Sequence, residues 1–198
     1  MFPERIDFKN VQRDFRKVQR ELEMIGLWKE NEYLGLIDLY QISTPSLFGT
    51  LGFIYDQEIS CFEKLLGFKQ GAIYIPSYAH IQKYNRGQTL IDTIRHEFAH
   101  AWYWIDPKIF RGKWFKETFG GSYGAAWDDT NSSFDDSDNF ISDYAKSSPA
   151  EDFAETFMTY LRHSGKCSNY KIRKGVYRKL LMVHKLVKLT NKKLGAKR

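Results

Sequence analysis

The chain is poor in cysteine, with only Cys61 and Cys167 among its 198 residues. The two lie far apart and form no CxxC pair, so the sequence predicts neither a disulfide framework nor a zinc–thiolate site. We expect both to be free thiols. The length and the 42% hydrophobic content suit one packed core rather than two, which favours a single domain over residues 1–198.

Long hydrophobic runs are absent as well. No stretch of about 18 uncharged apolar residues occurs, so no membrane-spanning helix is predicted. The first residues, MFPERIDFKN, lack the basic and apolar regions of a cleavable secretion signal. We therefore expect a cytoplasmic protein, with signal-independent export as the alternative.

Acidic residues are missing from the last part of the chain. Residues 166–198 contain 12 Lys+Arg and no Asp or Glu, whereas residues 1–165 contain 18 Lys+Arg against 24 Asp+Glu. A helical period over about 170–192 places six cations opposite an apolar stripe. Such a face attracts phosphates, so one interpretation is a protein that binds nucleic acid or an anionic surface, and the other is a solvated helix face. The six cations are Lys171, Lys174, Arg178, Lys185, Lys188 and Lys192.

The spacing of apolar residues predicts the secondary structure. Strands are expected within 33–42, 49–56 and 71–76, where short β-branched and aromatic runs are broken by Gly and Pro. Helices are expected over about 9–25, 88–104, 148–163 and 170–192, with a short one in EISCFEKLLG that ends at Gly67. Since the strands precede most of the helices, the sequence predicts an α+β domain.

Residues 119–140 are rich in Gly, Ser, Asn and Asp and follow neither a helical nor a strand period. This composition predicts a long surface loop. Its aspartates could bind calcium, but the EF-hand spacing is absent, and a flexible solvated loop is the alternative. These aspartates are Asp128, Asp129, Asp135, Asp136 and Asp138.

The stretch RHEFAHAW, residues 95–102, carries the clearest chemical signal. On a helix His96 and His100 lie one turn apart on the same face, so both rings can bind one metal ion. Catalytic zinc takes such ligands, keeps one position for water, and uses a neighbouring Glu, here Glu97, as general base. The alternative is an ordinary core helix whose histidines form hydrogen bonds.

A zinc site of this kind needs a third protein ligand. The motif HxxGxxH does not follow, because AWYWIDPKIF comes after His100, and this excludes the metzincin class. His163 and His184 have no ligand spacing and are expected to be a helix C-terminal cation and a helix-surface residue. Glu151 and Glu155, one turn apart in a later helix, are better candidates, although Glu151 also fits a capping box that begins at Ser148.

HEFAH, followed about 50 residues later by YAKSSPAEDFAETF, resembles the gluzincin-type zinc metallopeptidases that include the catalytic domain of anthrax lethal factor. In that family a tyrosine precedes the ligand glutamate by seven positions and a second glutamate follows it by four. The resemblance covers about residues 90–160. It implies one zinc ion per chain held by His96, His100 and Glu151, with Glu97 as general base, Tyr144 as the transition-state donor and Glu155 as an acid close to the ligands that does not bind the metal itself.

The resemblance also implies a zincin-like fold, with a small mixed sheet whose edge strand lies beside the histidine helix. Strand 71–76, GAIYIP, is expected to be that edge, along which a peptide substrate could bind by strand addition. A plain core strand is the alternative. We expect a monomeric zinc metalloendopeptidase, and a zincin-fold protein that has lost turnover is a further alternative.

Overall fold

The structure is a computed structural model that describes residues 4–5, 9–42, 53–54, 60–65, 67–76, 89–125, 138–171 and 173–195. The chain forms two compact units, Met1–Glu23 with Trp28–Ile105 and Met24–Leu27 with Asp106–Arg198. Helices predominate over two small sheets in the described residues, which agrees with the predicted α+β class. The prediction of one domain over residues 1–198 stays a prediction.

The first unit contains the first three helices and the six strands of the described residues. Helices α1 and α3 lie where the apolar periodicity predicts them. Helix α2 lies within the predicted short helix, and Gly67, which was expected to end it, has a positive φ. The helices are α1 (Lys9–Met24), α2 (Cys61–Leu65) and α3 (Leu90–Ile105). The strands are β1 (Glu4–Arg5), β2 (Trp28–Lys29), β3 (Glu32–Tyr33), β4 (Leu39–Ile42), β5 (Phe53–Ile54) and β6 (Ile73–Pro76).

The larger sheet has the order β1-β4-β6-β5, in which β4 and β6 are parallel and the other pairs antiparallel. Strand β6 pairs along all four residues with β4, and Ile73 and Tyr74 pair with β5 on the other side. The prediction of an edge strand at 71–76 is therefore wrong, because β6 is interior. Its side chains are those of a core strand, since Ile73 and Ile75 are fully buried.

The predicted strand 71–76 begins two residues late because Gly71 adopts a φ of +76°. Only glycine takes this conformation readily. An added Cβ at Gly71 would lie 2.4 Å from the ring of Trp104 in α3, so the turn before β6 must stay free of a side chain. The close approach holds β6 near the last turn of α3.

Helices α1 and α3 are joined by aromatic packing and by a buried ionic group. Phe15 of α1 stacks on Phe98 of α3 with ring centroids 6.2 Å apart. Arg95 donates two hydrogen bonds to the Glu21 carboxylate, at 2.6 and 2.8 Å, and one to Asp92 at 2.7 Å. All three charged residues are buried, so Arg95 neutralises two carboxylates that are largely removed from water.

Arg95→Leu is expected to lower the free energy of unfolding by about 3–5 kcal/mol, because it leaves two carboxylates buried without their counter-ion. Arg13→Leu is the matched control, since the exposed Arg13–Asp14 pair on α1 should contribute less than about 0.5 kcal/mol. Urea unfolding monitored by circular dichroism measures both. A loss no larger for Arg95→Leu than for the control would contradict this role for the buried group.

The second unit is built around aromatic side chains. Its helices are α4 (Lys113–Phe119), α5 (Pro149–Arg162) and α6 (Lys174–Gly195), and short 3-10 turns cover Pro107–Phe110, Tyr144–Lys146 and Ser168–Tyr170. Neighbouring ring centroids in the core lie 4.8 to 6.1 Å apart. The rings are those of Phe110, Phe115, Phe119, Tyr123 and Phe153.

A buried ion pair joins α5 to α6. Lys179 donates to Asp152 at 2.6 Å and to the carbonyl of Asn139 at 2.6 Å, and its ammonium lies 4.2 Å from the ring centroid of Phe140. Burial raises the pKa of Asp152 to about 7, and the Lys179 ammonium opposes that shift. The pair fixes the first turn of α5, which carries Glu151.

The remaining predictions on secondary structure have mixed outcomes. The third and fourth predicted helices are confirmed as α5 and α6, and both cysteines are free thiols. The middle of the predicted loop, residues 126–137, lies outside the described residues, and so do four of its five aspartates. Among the helices of the described chain, none is long and apolar enough to cross a membrane.

Candidate metal centre

The histidine motif lies on α3, a helix of the first unit whose residues are mostly buried. Its start is capped by Thr89, whose hydroxyl donates to Asp92 at 2.7 Å and accepts from the Asp92 N–H at 3.3 Å. His96 and Glu97 are buried, with 6% and 5% of their surface exposed, and His100 is half-buried. Two histidines and an acid are thus held on a helix that is capped at its first turn.

The two imidazole rings converge as the spacing of four predicts. The Nε2 atoms of His96 and His100 are 3.1 Å apart, and the ring planes meet at 67°. Two ligands of tetrahedral zinc, each bonded at about 2.0–2.1 Å, would lie about 3.4 Å apart, close to this separation. An N–H···N hydrogen bond between neutral rings has a similar length. The third ligand therefore distinguishes a metal site from a simple pair of rings.

Glu151 lies in the first turn of α5, in the second unit. Ser148 caps this helix, and its hydroxyl accepts a hydrogen bond from the backbone N–H of Glu151 at 3.2 Å. The capping role predicted from the sequence is therefore confirmed for Ser148. This capping bond uses the backbone N–H of Glu151 and not its carboxylate.

Tyr144 and Glu155 are linked through a serine. The hydroxyl of Ser142 donates to the Glu155 carboxylate at 2.7 Å and accepts from the N–H of Ala145 at 3.2 Å. Glu155 is 1% exposed, whereas Tyr144 is 52% exposed on its 3-10 turn. Ser147 donates from its hydroxyl to the carbonyl of Tyr144 at 2.7 Å. The buried acid thus fixes the turn that carries Tyr144.

Ser142 is a residue that the sequence reasoning misses. It lies 13 residues before Glu155, in a segment with several serines, and no spacing rule distinguishes it from its neighbours. Its position becomes apparent only when the turn and α5 fold against each other.

In the described part of the chain, one group of His, Cys, Asp and Glu side chains could hold a metal ion. It consists of His96, His100 and Glu151, whose ligand atoms all lie within 4.8 Å of one another. Two imidazoles and one carboxylate form the ligand set of catalytic zinc sites that keep a position open for water. The donor chemistry of these three residues therefore fits zinc.

The two downstream histidines do not belong to this group. His163 caps the C-terminus of α5, as expected, and its Nε2 lies 3.1 Å from the hydroxyl of Tyr170. His184 is half-buried on α6, and its Nδ1 lies 2.8 Å from the hydroxyl of Tyr160. Burial and the nearby Lys188 lower the pKa of His184. Both histidines thus have structural partners.

Comparison with known proteins gives one family match. The model of the family described as "Putative zinc-binding metallo-peptidase" matches residues 79–186, more than half of the chain. The matched range contains the histidine motif, Tyr144, Glu151 and Glu155. Neither the curated proteins nor the solved structures contain a match to the chain.

Proposed function

Because the chain belongs to that zinc-binding metallo-peptidase family, we propose that it hydrolyses peptide bonds with one zinc ion held by His96, His100 and Glu151. The observation that carries the proposal is the convergence of these three ligand atoms within 4.8 Å. The family match supports the reaction class independently of that distance. The finer assignment, to gluzincins like the catalytic domain of lethal factor, rests on the spacing of Tyr144, Glu151 and Glu155.

In this proposal Glu97 is the general base. The chemistry that zinc supplies in such sites is polarisation of the scissile carbonyl and activation of a water molecule. Glu97 follows the first histidine on α3 and is buried, with 5% of its surface exposed. Its carboxylate takes a proton from the attacking water and then delivers it to the leaving amine, so the proton count balances over the cycle.

Tyr144 is proposed to donate its phenolic hydrogen to the oxyanion of the tetrahedral intermediate. Its exposure of 52% leaves the side chain open to a substrate. Glu155 is proposed to be a positioning residue, because it binds Ser142, which in turn accepts the N–H of Ala145 next to Tyr144. A fixed turn reduces the reorganisation that the hydroxyl needs before it can stabilise charge.

Tyr144→Phe is expected to lower kcat for hydrolysis by about 10²-fold, the typical effect of losing one oxyanion donor. KM and zinc content should stay close to those of the wild type, since phenylalanine preserves the ring. Tyr177→Phe, on α6, is the matched control and should leave kcat unchanged. Steady-state kinetics on a quenched-fluorescence peptide library provides the measurement, and a variant with higher KM and unchanged kcat would assign Tyr144 to substrate binding instead.

A further inference from the structure

The outward side of α6 has an unusual composition. From residue 174 to residue 192, seven positions are exposed, and all are occupied by a cation or a leucine. The five cations, called the cationic row below, are Lys174, Arg178, Lys185, Lys188 and Lys192. The two leucines are Leu181 and Leu189, which are 44% and 52% exposed.

These seven side chains lie along one line on the helix. The steps between successive cations are four, seven, three and four residues, which return to the same face at 3.6 residues per turn. The row is about 27 Å long, at 1.5 Å of rise per residue. The buried side of α6, with Val176, Val183 and Val187, faces the core of the second unit on the opposite side. A helix with this arrangement can place all five cations of the row on a flat surface at once.

The fold uses other cations of the same helix. Lys179 pairs with Asp152 inside the core, and Lys193 pairs with Asp106. Within the part of the chain that the structure describes, none of the five cations in the row is in an ion pair with an acid. Because like charges in a row repel one another, an anionic partner would relieve this repulsion.

The exposed leucines distinguish between two kinds of anionic partner, a nucleic acid and a lipid bilayer. A nucleic-acid backbone offers phosphates to the lysines but no apolar environment to Leu181 and Leu189. Single-stranded nucleic acid would favour stacking aromatics, and none of the seven outward residues is aromatic. At the surface of an anionic bilayer the cations contact headgroups while the leucines enter the boundary with the acyl chains.

We propose that the outward side of α6 is a docking surface for an anionic lipid bilayer, with the cationic row on the headgroups and Leu181 and Leu189 inserted between them. The helix lies flat on the membrane and does not enter its core. None of the seven outward residues is a proposed zinc ligand, and binding to vesicles does not depend on whether the chain hydrolyses peptides.

The test uses the full chain and sedimentation with vesicles of phosphatidylcholine containing about 30% phosphatidylserine. The wild type should bind these vesicles, and its binding should weaken as the salt concentration rises. It should not bind vesicles of pure phosphatidylcholine. The triple variant Lys185→Glu, Lys188→Glu, Lys192→Glu should bind at least about 100-fold more weakly, since each lysine at such a surface strengthens binding about fivefold. The control Lys108→Glu, Arg111→Glu, Lys116→Glu makes the same charge change at sites outside α6 and should bind nearly as well as wild type.

The double variant Leu181→Ala, Leu189→Ala separates lipid from nucleic acid. It should bind the vesicles several-fold more weakly and a short DNA duplex no differently from the wild type. The substituted side chains of α6 are all exposed, so circular dichroism should show an unchanged fold. Equal losses in the two triple variants, an unaffected leucine variant, or tighter binding to the duplex than to the vesicles would each overturn the proposal.

Discussion

Glu97→Gln is expected to lower kcat for peptide hydrolysis by about 10²–10⁴-fold, the contribution typical of a general base. Glutamine has nearly the same shape as glutamate but cannot accept a proton from water. Glu97 lies outside the three-residue ligand group, so the variant should still contain one zinc ion per chain. Hydrolysis of a peptide library and metal analysis of the same sample measure the two quantities together.

The control for this prediction is Glu117→Gln. Glu117 is an exposed glutamate on α4 that forms a surface salt bridge with Lys113 at 3.5 Å, and such pairs contribute little, so its neutralisation should change neither activity nor metal content. Wild-type hydrolysis by Glu97→Gln would end the assignment of Glu97 as the base. Loss of zinc together with activity would show that Glu97 contributes to metal binding rather than to proton transfer.

Glu151→Ala is expected to remove the zinc ion. Loss of a residue that only orients a ligand typically weakens metal binding about 10–100-fold, and loss of a ligand itself should exceed this. Alanine is a good helix former and retains the backbone N–H that Ser148 caps, so α5 should persist. Zinc bound after dialysis, measured by atomic absorption, should fall from one per chain to a small fraction.

Ser148→Ala distinguishes the two roles that the sequence allows for Glu151, as a zinc ligand or as part of the helix cap. It removes the hydroxyl that accepts the N–H of Glu151, at a cost of about 1 kcal/mol in stability, but leaves the carboxylate in place. Zinc content should therefore remain at one per chain. If Glu151→Ala kept its zinc and merely lost stability like Ser148→Ala, Glu151 would be a capping residue and not a ligand.

The elements that local periodicity encodes were predictable. Helix α3 follows from the apolar residues around its motif, and α5 from the Ser148–Pro149 start, because each signal lies within a few turns of the element it defines. Helix α4 escapes prediction because its seven residues give only two turns of pattern. The interior position of β6 could not be predicted either, because it depends on pairing with β4 and β5. No local sequence pattern specifies which strands become neighbours.

The features of the site also divide into those that local spacing predicts and those that depend on distant contacts. The convergence of His96 and His100 follows from a spacing of four on one helix, so the sequence predicts it directly. Contacts between distant residues were not predictable, as with Arg95 and Glu21, which are 74 positions apart. Ser142 belongs to this second class, because its role depends on how a turn packs against α5. The contact of His184 with Tyr160 was not predictable for the same reason, since Tyr160 lies on another helix.

Zinc K-edge X-ray absorption on the full chain, purified without added metal, tests the central claim most directly. One zinc ion per chain, with two imidazole nitrogens and a carboxylate oxygen in its coordination shell, is the predicted result for the wild type. The imidazole signal should persist in Glu97→Gln. Absence of zinc from the purified chain, or a coordination shell without two imidazoles, would contradict the assignment of His96, His100 and Glu151 as the metal ligands.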